Sequence, residues 1–280
     1  MHKEFINNKT IITDVGPFDV EAIFTCGQAF RWHKTKDGWQ GIAMDKMLTI
    51  GQLDDGIVLD CPKEDVPFWV HYLDLDYDYQ AVRDRLILDI DLRPAIEAMP
   101  GLRFLNQPFY ECLISFIISA NNNIPRIKKI IEALSERYGK KVADGCYGFP
   151  TAKALANAKE EDVRACGAGY RASYIIEASN TVQEGFDHEN LRTMPLDEAR
   201  IALTALKGVG CKVADCVLLF SCHHRAAFPV DTWVRKAMAE LYGESLKDKA
   251  IREIAKERFG EHGGLAQQYL FHSLRLKAMG

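Results

Sequence analysis

Leu206-Lys207-Gly208-Val209-Gly210-Cys211-Lys212 and, nineteen residues beyond Lys212, Asp231 are the residues of this chain whose types and spacing suit covalent chemistry. Gly208 and Gly210 permit a positive φ in a tight turn between two helical patterns. That turn places Lys212 in the first turn of the second helix, at the positive end of its dipole. A cation there loses about 0.3–1 kcal/mol against a neutral residue. The penalty favours the neutral amine, the form that attacks carbonyl-like carbons, so Lys212 reads as a Schiff-base lysine. Asp231 follows Pro229 and opens another helix, where Asp is a preferred N-cap. A capping carboxylate is rigid and charged, as electrostatic stabilisation of a developing positive charge requires. The backbone N–H groups after the Gly-rich turn form an anion site that suits a phosphate and needs no base contact.

The elements that must position these groups follow from the pattern. Between about Ile11 and Leu59, short β-rich runs alternate with Gly and Asp turns: Phe18-Asp19-Val20, Phe30-Arg31-Trp32, Trp39 to Ala43, Leu48-Thr49-Ile50 and Ile57-Val58-Leu59. The connections are too short for crossovers, so the runs predict antiparallel hairpins. A helical pattern runs around Tyr79 to Ile90, and from Pro108 onward everything reads as helical. The helices are expected near 109–120, 125–137, 151–156, 160–165, 171–184, 196–205, 211–221, 232–241, 246–258 and 263–277. The fold class is therefore α+β: an N-terminal antiparallel β domain over 1–100 and an all-α domain over 101–280, with a helix-hairpin-helix at about 196–221.

Composition narrows the partners. A chain of 280 residues with 48% apolar content supports real cores in about two domains. It shows neither an apolar run of about 18 residues nor a charged-then-apolar leader, so no membrane span or signal peptide is expected and the location is cytoplasmic. Eight cysteines (Cys26, Cys61, Cys112, Cys146, Cys166, Cys211, Cys216 and Cys222) form no CxxC and no compact disulfide framework, which suits a reducing compartment. Cys222-His223-His224 lacks the second spaced pair that a tetrahedral zinc site needs. The net charge of −4 argues against nucleic acid at first sight, but the distribution reverses the argument. Residues 54–99 hold twelve acids against four bases, whereas 201–236 hold five bases against two acids and 119–141 hold six against two. A basic face over the motif is compatible with an acidic remainder, with salt-sensitive binding.

Residues 201–238 resemble the helix-hairpin-helix, Gly/Pro-rich loop and aspartate of the DNA glycosylase superfamily. With the lysine, the chain as a whole resembles the eukaryotic-type 8-oxoguanine DNA glycosylases, bifunctional enzymes that break the glycosidic bond and then the strand. The resemblance implies that Lys212 attacks C1′ while Asp231 supports departure of the base. Carbonyls of Thr204, Leu206 and Val209 would hold a monovalent cation, and Gly208 and Gly210 would shape the DNA-phosphate site. Cys26-Gly27-Gln28-Ala29-Phe30-Arg31-Trp32 is similar to the segment in which a glycine carbonyl, here Gly27, accepts the N7–H that 8-oxoguanine has and guanine lacks. Cys216, Pro229, Gln267 and Phe271 would complete the base pocket; Gln267 and Phe271, spaced i, i+4, share a helix face. Asn121, Arg126, Tyr170 and Arg171 resemble the set that reads the orphan base and favours cytosine. The last helix is expected to return against residues 101–157. Trp233 departs from the family, which usually carries histidine there.

The implied function is base excision of 8-oxoguanine from damaged duplex DNA with abasic-site lyase activity, by a monomer without cofactor, membrane contact or iron-sulfur cluster, associated with the nucleoid or the nucleus. No cysteine follows Cys222, whereas the iron-sulfur branch carries its cluster near the C-terminus. Two alternatives stay open: a helix-hairpin-helix glycosylase for another damaged purine, whose members generally lack the lysine, and a non-catalytic helix-hairpin-helix DNA-binding protein.

Overall fold

The computed structural model describes residues 1–243 and 245–279, with side chains as far as Arg275 apart from Glu244. Strands β1 (His2–Ile6), β2 (Lys9–Thr13), β3 (Trp32–Thr35), β4 (Gly38–Ala43), β5 (Lys46–Leu53) and β6 (Gly56–Asp60) form one sheet in the order β1-β2-β6-β5-β4-β3. Every pairing is antiparallel, as the short connections require. Alternation buries Ile12, Leu48, Ile50, Ile57 and Leu59 on one face, against α1 (Val20–Thr25) and α2 (Val66–Tyr72). Trp32 stacks on Phe24 of α1, at 3.8 Å between ring centroids, and meets Trp69 of α2 edge-on.

The sheet half differs from expectation in three places. Phe18-Asp19-Val20 is no strand: the Asp19 carboxylate accepts from the Ala22 N–H at 2.9 Å and starts α1. A helix cap outweighs a three-residue β-rich run. β1 carries no sequence signal because all its residues are exposed, so no apolar alternation marks it. Phe30 and Arg31 precede β3 rather than belonging to it.

Helices α3 (Tyr79–Leu86), α4 (Arg93–Ala98), α5 (Phe109–Ser119), α6 (Ile124–Tyr138), α7 (Ala152–Ala156), α8 (Glu160–Val163), α9 (Arg171–Gln183), α10 (Leu196–Thr204), α11 (Cys211–Ser221), α12 (Thr232–Tyr242), α13 (Asp248–Phe259) and α14 (Gly263–Met279) make the second half. From α5 onward their bounds follow the expected ones closely because caps and prolines mark them, with Asn123, Thr151 and Asp231 each accepting an N-cap hydrogen bond, whereas α3 stops at Leu86 short of Ile90 and α4 was not expected. The exception is a small hairpin, β7 (Lys141–Ala143) and β8 (Cys146–Tyr147), turning at Asp144-Gly145, where Gly145 has φ +69°. Asp-Gly is a hairpin signal, but the flanking runs are too short to show alternation. Between α8 and α9 the chain forms a π-helical turn, Arg164–Ala168, with positive φ at Gly167 and Gly169, and so presents Tyr170. Helix α14 packs on α12, α13 and α4, and its Phe271 reaches Ile124 at the start of α6 through the space beside Gly27. Among the described residues no helix is long and apolar enough to cross a membrane.

The sheet core and the helical core meet along a buried polar seam. Gln28, fully buried, donates to the carbonyls of Ile23 (3.0 Å) and Arg103 (2.8 Å) and accepts from the Leu105 N–H (2.9 Å). Gln107 donates to the Gln28 carbonyl at 2.7 Å, and its own backbone N–H donates to the Phe220 carbonyl in α11 at 2.7 Å. Arg103, 1% exposed, donates to the carbonyls of Val15 and Pro17 from between the rings of Phe18 and Tyr79.

Removing the Gln28 amide strands the Leu105 N–H and the Arg103 carbonyl, each costly without a partner, and leaves the Ile23 carbonyl only the weak thiol donor of Cys26 at 3.2 Å. Gln28→Ala is expected to lower stability by on the order of 3 kcal/mol, seen as a lower urea midpoint with an unchanged slope. A midpoint equal to wild type would show that solvent reaches the seam.

Candidate active site

The hairpin between α10 and α11 has the geometry its glycines require. Gly208 sits at φ +83°, and a Cβ there would lie 2.6 Å from the Tyr174 ring, so both backbone and space demand glycine. Gly210 starts α11 in extended backbone with no side-chain cap, and a Cβ on it would meet nothing within 4 Å. The first N–H groups of α11 therefore face open space, as an anion site needs. The Val209 N–H donates to the Leu206 carbonyl at 3.1 Å, leaving that oxygen one lone pair for a cation shared with the Thr204 and Val209 carbonyls. Asp215, with no exposed surface, holds the helix pair together by accepting from Arg200 Nε at 2.6 Å. Burial pushes its carboxyl up to about 6 although Arg200 opposes the shift.

Lys212 is half-buried in the first turn of α11. Its ammonium donates to Ser119 Oγ at 3.2 Å and lies over the Phe116 ring, 4.9 Å from the centroid. Ser119 had no motif to announce it; the one signal is its place two residues before Asn121. Cys216, one turn along α11, is 3% exposed. Burial pushes its thiol up to about 12, outweighing the Lys212 ammonium, which lowers it, while Asp231 raises it further. The group is a thiol at neutral pH rather than the thiolate of an ion pair. Lys212 from α11 and Asp231 from the start of α12 thus both bear electrostatically on this one thiol. Asp231 caps α12, accepting from the Val234 N–H at 2.8 Å, and is fed in by buried Pro229 and Val230. Trp233 follows in the first turn of α12, with Lys236 Nζ 5.2 Å from its ring centroid.

Of the predicted pocket residues, the structure brings Gly27 and Phe271 together. Gly27 has φ +82°, and a Cβ there would come within 3.3 Å of the Phe271 ring and 3.5 Å of Ile124 Cδ1. Among the described residues the Gly27 carbonyl has no hydrogen-bond donor. Gln267, buried on α14, accepts from Gln268 Nε2 at 2.8 Å.

The second cluster surrounds the end of α5. Asn121 is exposed in the left-handed region at φ +50°, and Arg126 is exposed in the first turn of α6. Tyr170, 50% exposed, lies over Arg171, with the guanidinium carbon 4.4 Å from the ring centroid. Arg171 itself is 3% exposed and donates to the carbonyls of Ala120 (Nε, 2.9 Å) and Asn121 (3.0 Å). It braces the loop rather than reaching outward.

The charge pattern is reorganised by folding. Of the cations in 201–236, Lys207 pairs with Glu177, Arg225 with Asp74 and Arg235 with Asp248. Among the described residues, Arg126 and Lys129 near the α5 loop have no such carboxylate partner.

Residues 10–113 match the 8-oxoguanine DNA glycosylase N-terminal domain, and residues 114–261 match the HhH-GPD superfamily of base excision DNA repair proteins. A probable N-glycosylase/DNA lyase of Methanothermobacter thermautotrophicus is 30% identical over 296 aligned residues, covering 93% of this chain and 95% of that one. The N-glycosylase/DNA lyase OGG1 of Arabidopsis thaliana is 39% identical over 188 residues, 61% of this chain; the chain spans about half of that relative's length, 51%. The Clostridium acetobutylicum 8-oxoguanine glycosylase/lyase, solved with duplex DNA carrying cytosine opposite 8-oxoguanine, superposes with a TM-score of 0.95 at 38% identity over 99% of each chain.

One group on the pocket helix makes a pH prediction. His272, next to Phe271, is 3% exposed with its Nδ1 unpartnered, and burial, aided by Arg275 against Asp19, lowers its pKa to about 4. The unfolded chain takes up this proton near pH 6.5 and the native one not until about 4, so its contribution to stability is lost as pH falls through that window. Asp215, raised to about 6, acts in the opposite sense, so the comparison is between wild type and His272→Gln. The variant is expected to lose on the order of 2 kcal/mol less stability than wild type between pH 7 and 4.5 in urea titrations.

Proposed function

Since the chain belongs to the HhH-GPD superfamily of base excision DNA repair proteins and carries the 8-oxoguanine DNA glycosylase N-terminal domain, we propose that Lys212 and Asp231 perform its chemistry on the flipped nucleotide. The protein is a bifunctional N-glycosylase/DNA lyase acting on 8-oxoguanine in DNA. The observation that carries the residue assignment is the half-buried Lys212 amine in the first turn of α11, held by Ser119, with the Asp231 carboxylate fixed at the N-cap of α12.

The neutral Lys212 amine attacks C1′; the C1′–N9 bond breaks and its electron pair leaves with the base, which takes up a proton. The Asp231 carboxylate, held by the Val234 N–H, stabilises the positive charge that develops on the sugar. Ring opening gives an iminium between Lys212 and C1′. Loss of a C2′ proton then expels the 3′ phosphate, which cleaves the strand. A non-catalytic module has no use for an amine and a carboxylate so placed.

Lesion choice rests on the Gly27 carbonyl, which accepts N7–H from 8-oxoguanine and faces a lone pair in guanine. An unmatched buried acceptor costs about 1–3 kcal/mol, enough to discriminate tenfold or more. Phe271 stacks on the purine, Gln267 bonds its Watson-Crick edge, and Cys216 and Pro229 complete the wall. Phe271 lies against Gly27, so its ring must move to admit the base. The N–H groups following Gly208 and Gly210 bind a DNA phosphate, with a monovalent cation on the carbonyls of Thr204, Leu206 and Val209. Asn121 and Arg126 donate to the orphan base and Tyr170 wedges beside it, braced by Arg171. The enzyme acts as a monomer, without cofactor or iron-sulfur cluster, wherever the genome is, nucleoid or nucleus.

Lys212→Gln is expected to bind lesion DNA and to give neither excision nor a borohydride-trapped adduct, because an amide forms no iminium. Asp231→Asn is expected to slow excision by about 10²–10³-fold with little loss of affinity, since its carboxylate acts on charge present only in the transition state. Strand cleavage by Lys212→Gln at the wild-type rate on an 8-oxoguanine duplex would overturn the mechanism.

Single-turnover rates are expected to be at least about tenfold higher opposite cytosine than opposite adenine, the discrimination of one good base contact. Arg126→Ala is expected to narrow the gap. Equal wild-type rates with all four partner bases would show that this cluster touches only the backbone.

A further inference from the structure

We infer that Ser119, the last residue of α5, is a positioning residue that couples the lysine to the loop facing the orphan base. The inference rests on the roles proposed above for Lys212 and Asn121. The Ser119 hydroxyl proton is committed to the Phe116 carbonyl at 2.7 Å, so an Oγ lone pair is free to accept from the Lys212 ammonium at 3.2 Å. The same ammonium lies over the face of Phe116, one turn earlier in α5. A single helical turn thus holds the amine at two points, which fixes where it waits before attack.

That turn is tied at its other end to the orphan-base cluster. Ala120 leaves the helix at φ −59° and ψ 122°, and its carbonyl takes two N–H groups of Arg171. Asn121 follows in the left-handed region and gives its carbonyl to the same guanidinium, while the Asn122 side chain donates back to the Ile118 carbonyl at 3.1 Å. Asn121 and Ser119 are two residues apart on a segment braced from both sides. A partner base that pulls on Asn121, or draws Arg171 from Ala120, displaces the end of α5 and with it the acceptor of the lysine. A base that fits leaves Ser119 in place. The lysine is therefore presented best when the orphan base is the right one, and specificity enters the chemical step as well as binding.

The test measures single-turnover excision of 8-oxoguanine opposite cytosine and opposite adenine for wild type, Ser119→Ala, Ser119→Cys and Ser119→Thr. Affinity is measured on abasic-site duplexes with the same partner bases. Ser119→Ala is expected to lose about tenfold in rate opposite cytosine and less opposite adenine, with Kd within about twofold, as removal of one hydrogen bond to a charged group predicts. The cytosine preference in rate shrinks accordingly. Ser119→Thr, which keeps the hydroxyl, is expected to restore both rate and preference. Ser119→Cys, close to serine in size but a weak acceptor, is expected to behave as Ser119→Ala and serves in its place should the alanine variant not fold.

An unchanged rate in Ser119→Ala and Ser119→Cys, or an equal loss opposite both bases with the preference intact, would overturn the coupling. So would a loss confined to Kd. Wild-type rates that do not depend on the partner base would instead overturn the orphan-base reading on which the coupling rests, and the two failures are read from different samples.

Discussion

The side-chain amide of Gln28 ties the exit from the sheet half to the start of the helical half. It sits one residue after Gly27, bonded to the backbone at Ile23, Arg103 and Leu105, and its own carbonyl is held by Gln107. Gln107 also reaches α11 through the Phe220 carbonyl, the helix that carries Lys212 and Cys216. A chain of short hydrogen bonds in low dielectric thus links the Gly27 turn to α11, the helix of Lys212. Such bonds are strong because water cannot replace them, and each broken one leaves a buried group unsatisfied. The Gly27 turn and Lys212 therefore share one rigid frame although they lie far apart in the sequence.

An acidic chain that acts on DNA must place its charge with care. Much of the acid in residues 54–99 faces inward or sideways in pairs: Asp74 holds Arg225 at 2.7 Å, and Asp89 holds Arg258 at 2.5 Å. The first of these pairs takes up a cation that a count along the sequence assigns to the DNA face. The open N-terminus of α11 needs no side-chain charge to attract a phosphate, since the helix supplies aligned N–H dipoles. Binding built this way depends on geometry more than on net charge, which reconciles the −4 of the whole chain with its substrate.

Positive-φ backbone occurs along the whole chain, and five such residues lie at or beside the candidate site. Gly27, Asn121, Gly167, Gly169 and Gly208 all have positive φ, and each lies at the pocket, the orphan-base loop, the turn that presents Tyr170 or the hairpin. Strain of this kind persists only where surrounding contacts over-determine the conformation. At Asn121 the contacts are those of Arg171, whose buried guanidinium fixes two successive carbonyls. At Gly208 they are the packing of Tyr174, which leaves no room for a side chain.

Local rules were enough to locate most of the fold and the helix starts that carry Lys212 and Asp231. Asn123, Thr151 and Asp231 are caps whose effect is confined to the next three residues, so the helices they start are legible from the sequence. Lys212 and Asp231 were legible for the same reason, because Gly208, Gly210 and Pro229 act on their own neighbours. Strand β1 was not: its side chains are all exposed and it is held only by pairing with β2, a contact the pattern does not encode. Ser119 was silent too, since its partner lies 93 residues away. Arg171 looked like an outward hand and is a buried brace. In each of these the deciding quantity is burial or a long-range partner. Periodicity and capping are properties of a few adjacent residues, whereas desolvation and pairing across the chain exist only once the tertiary structure has closed.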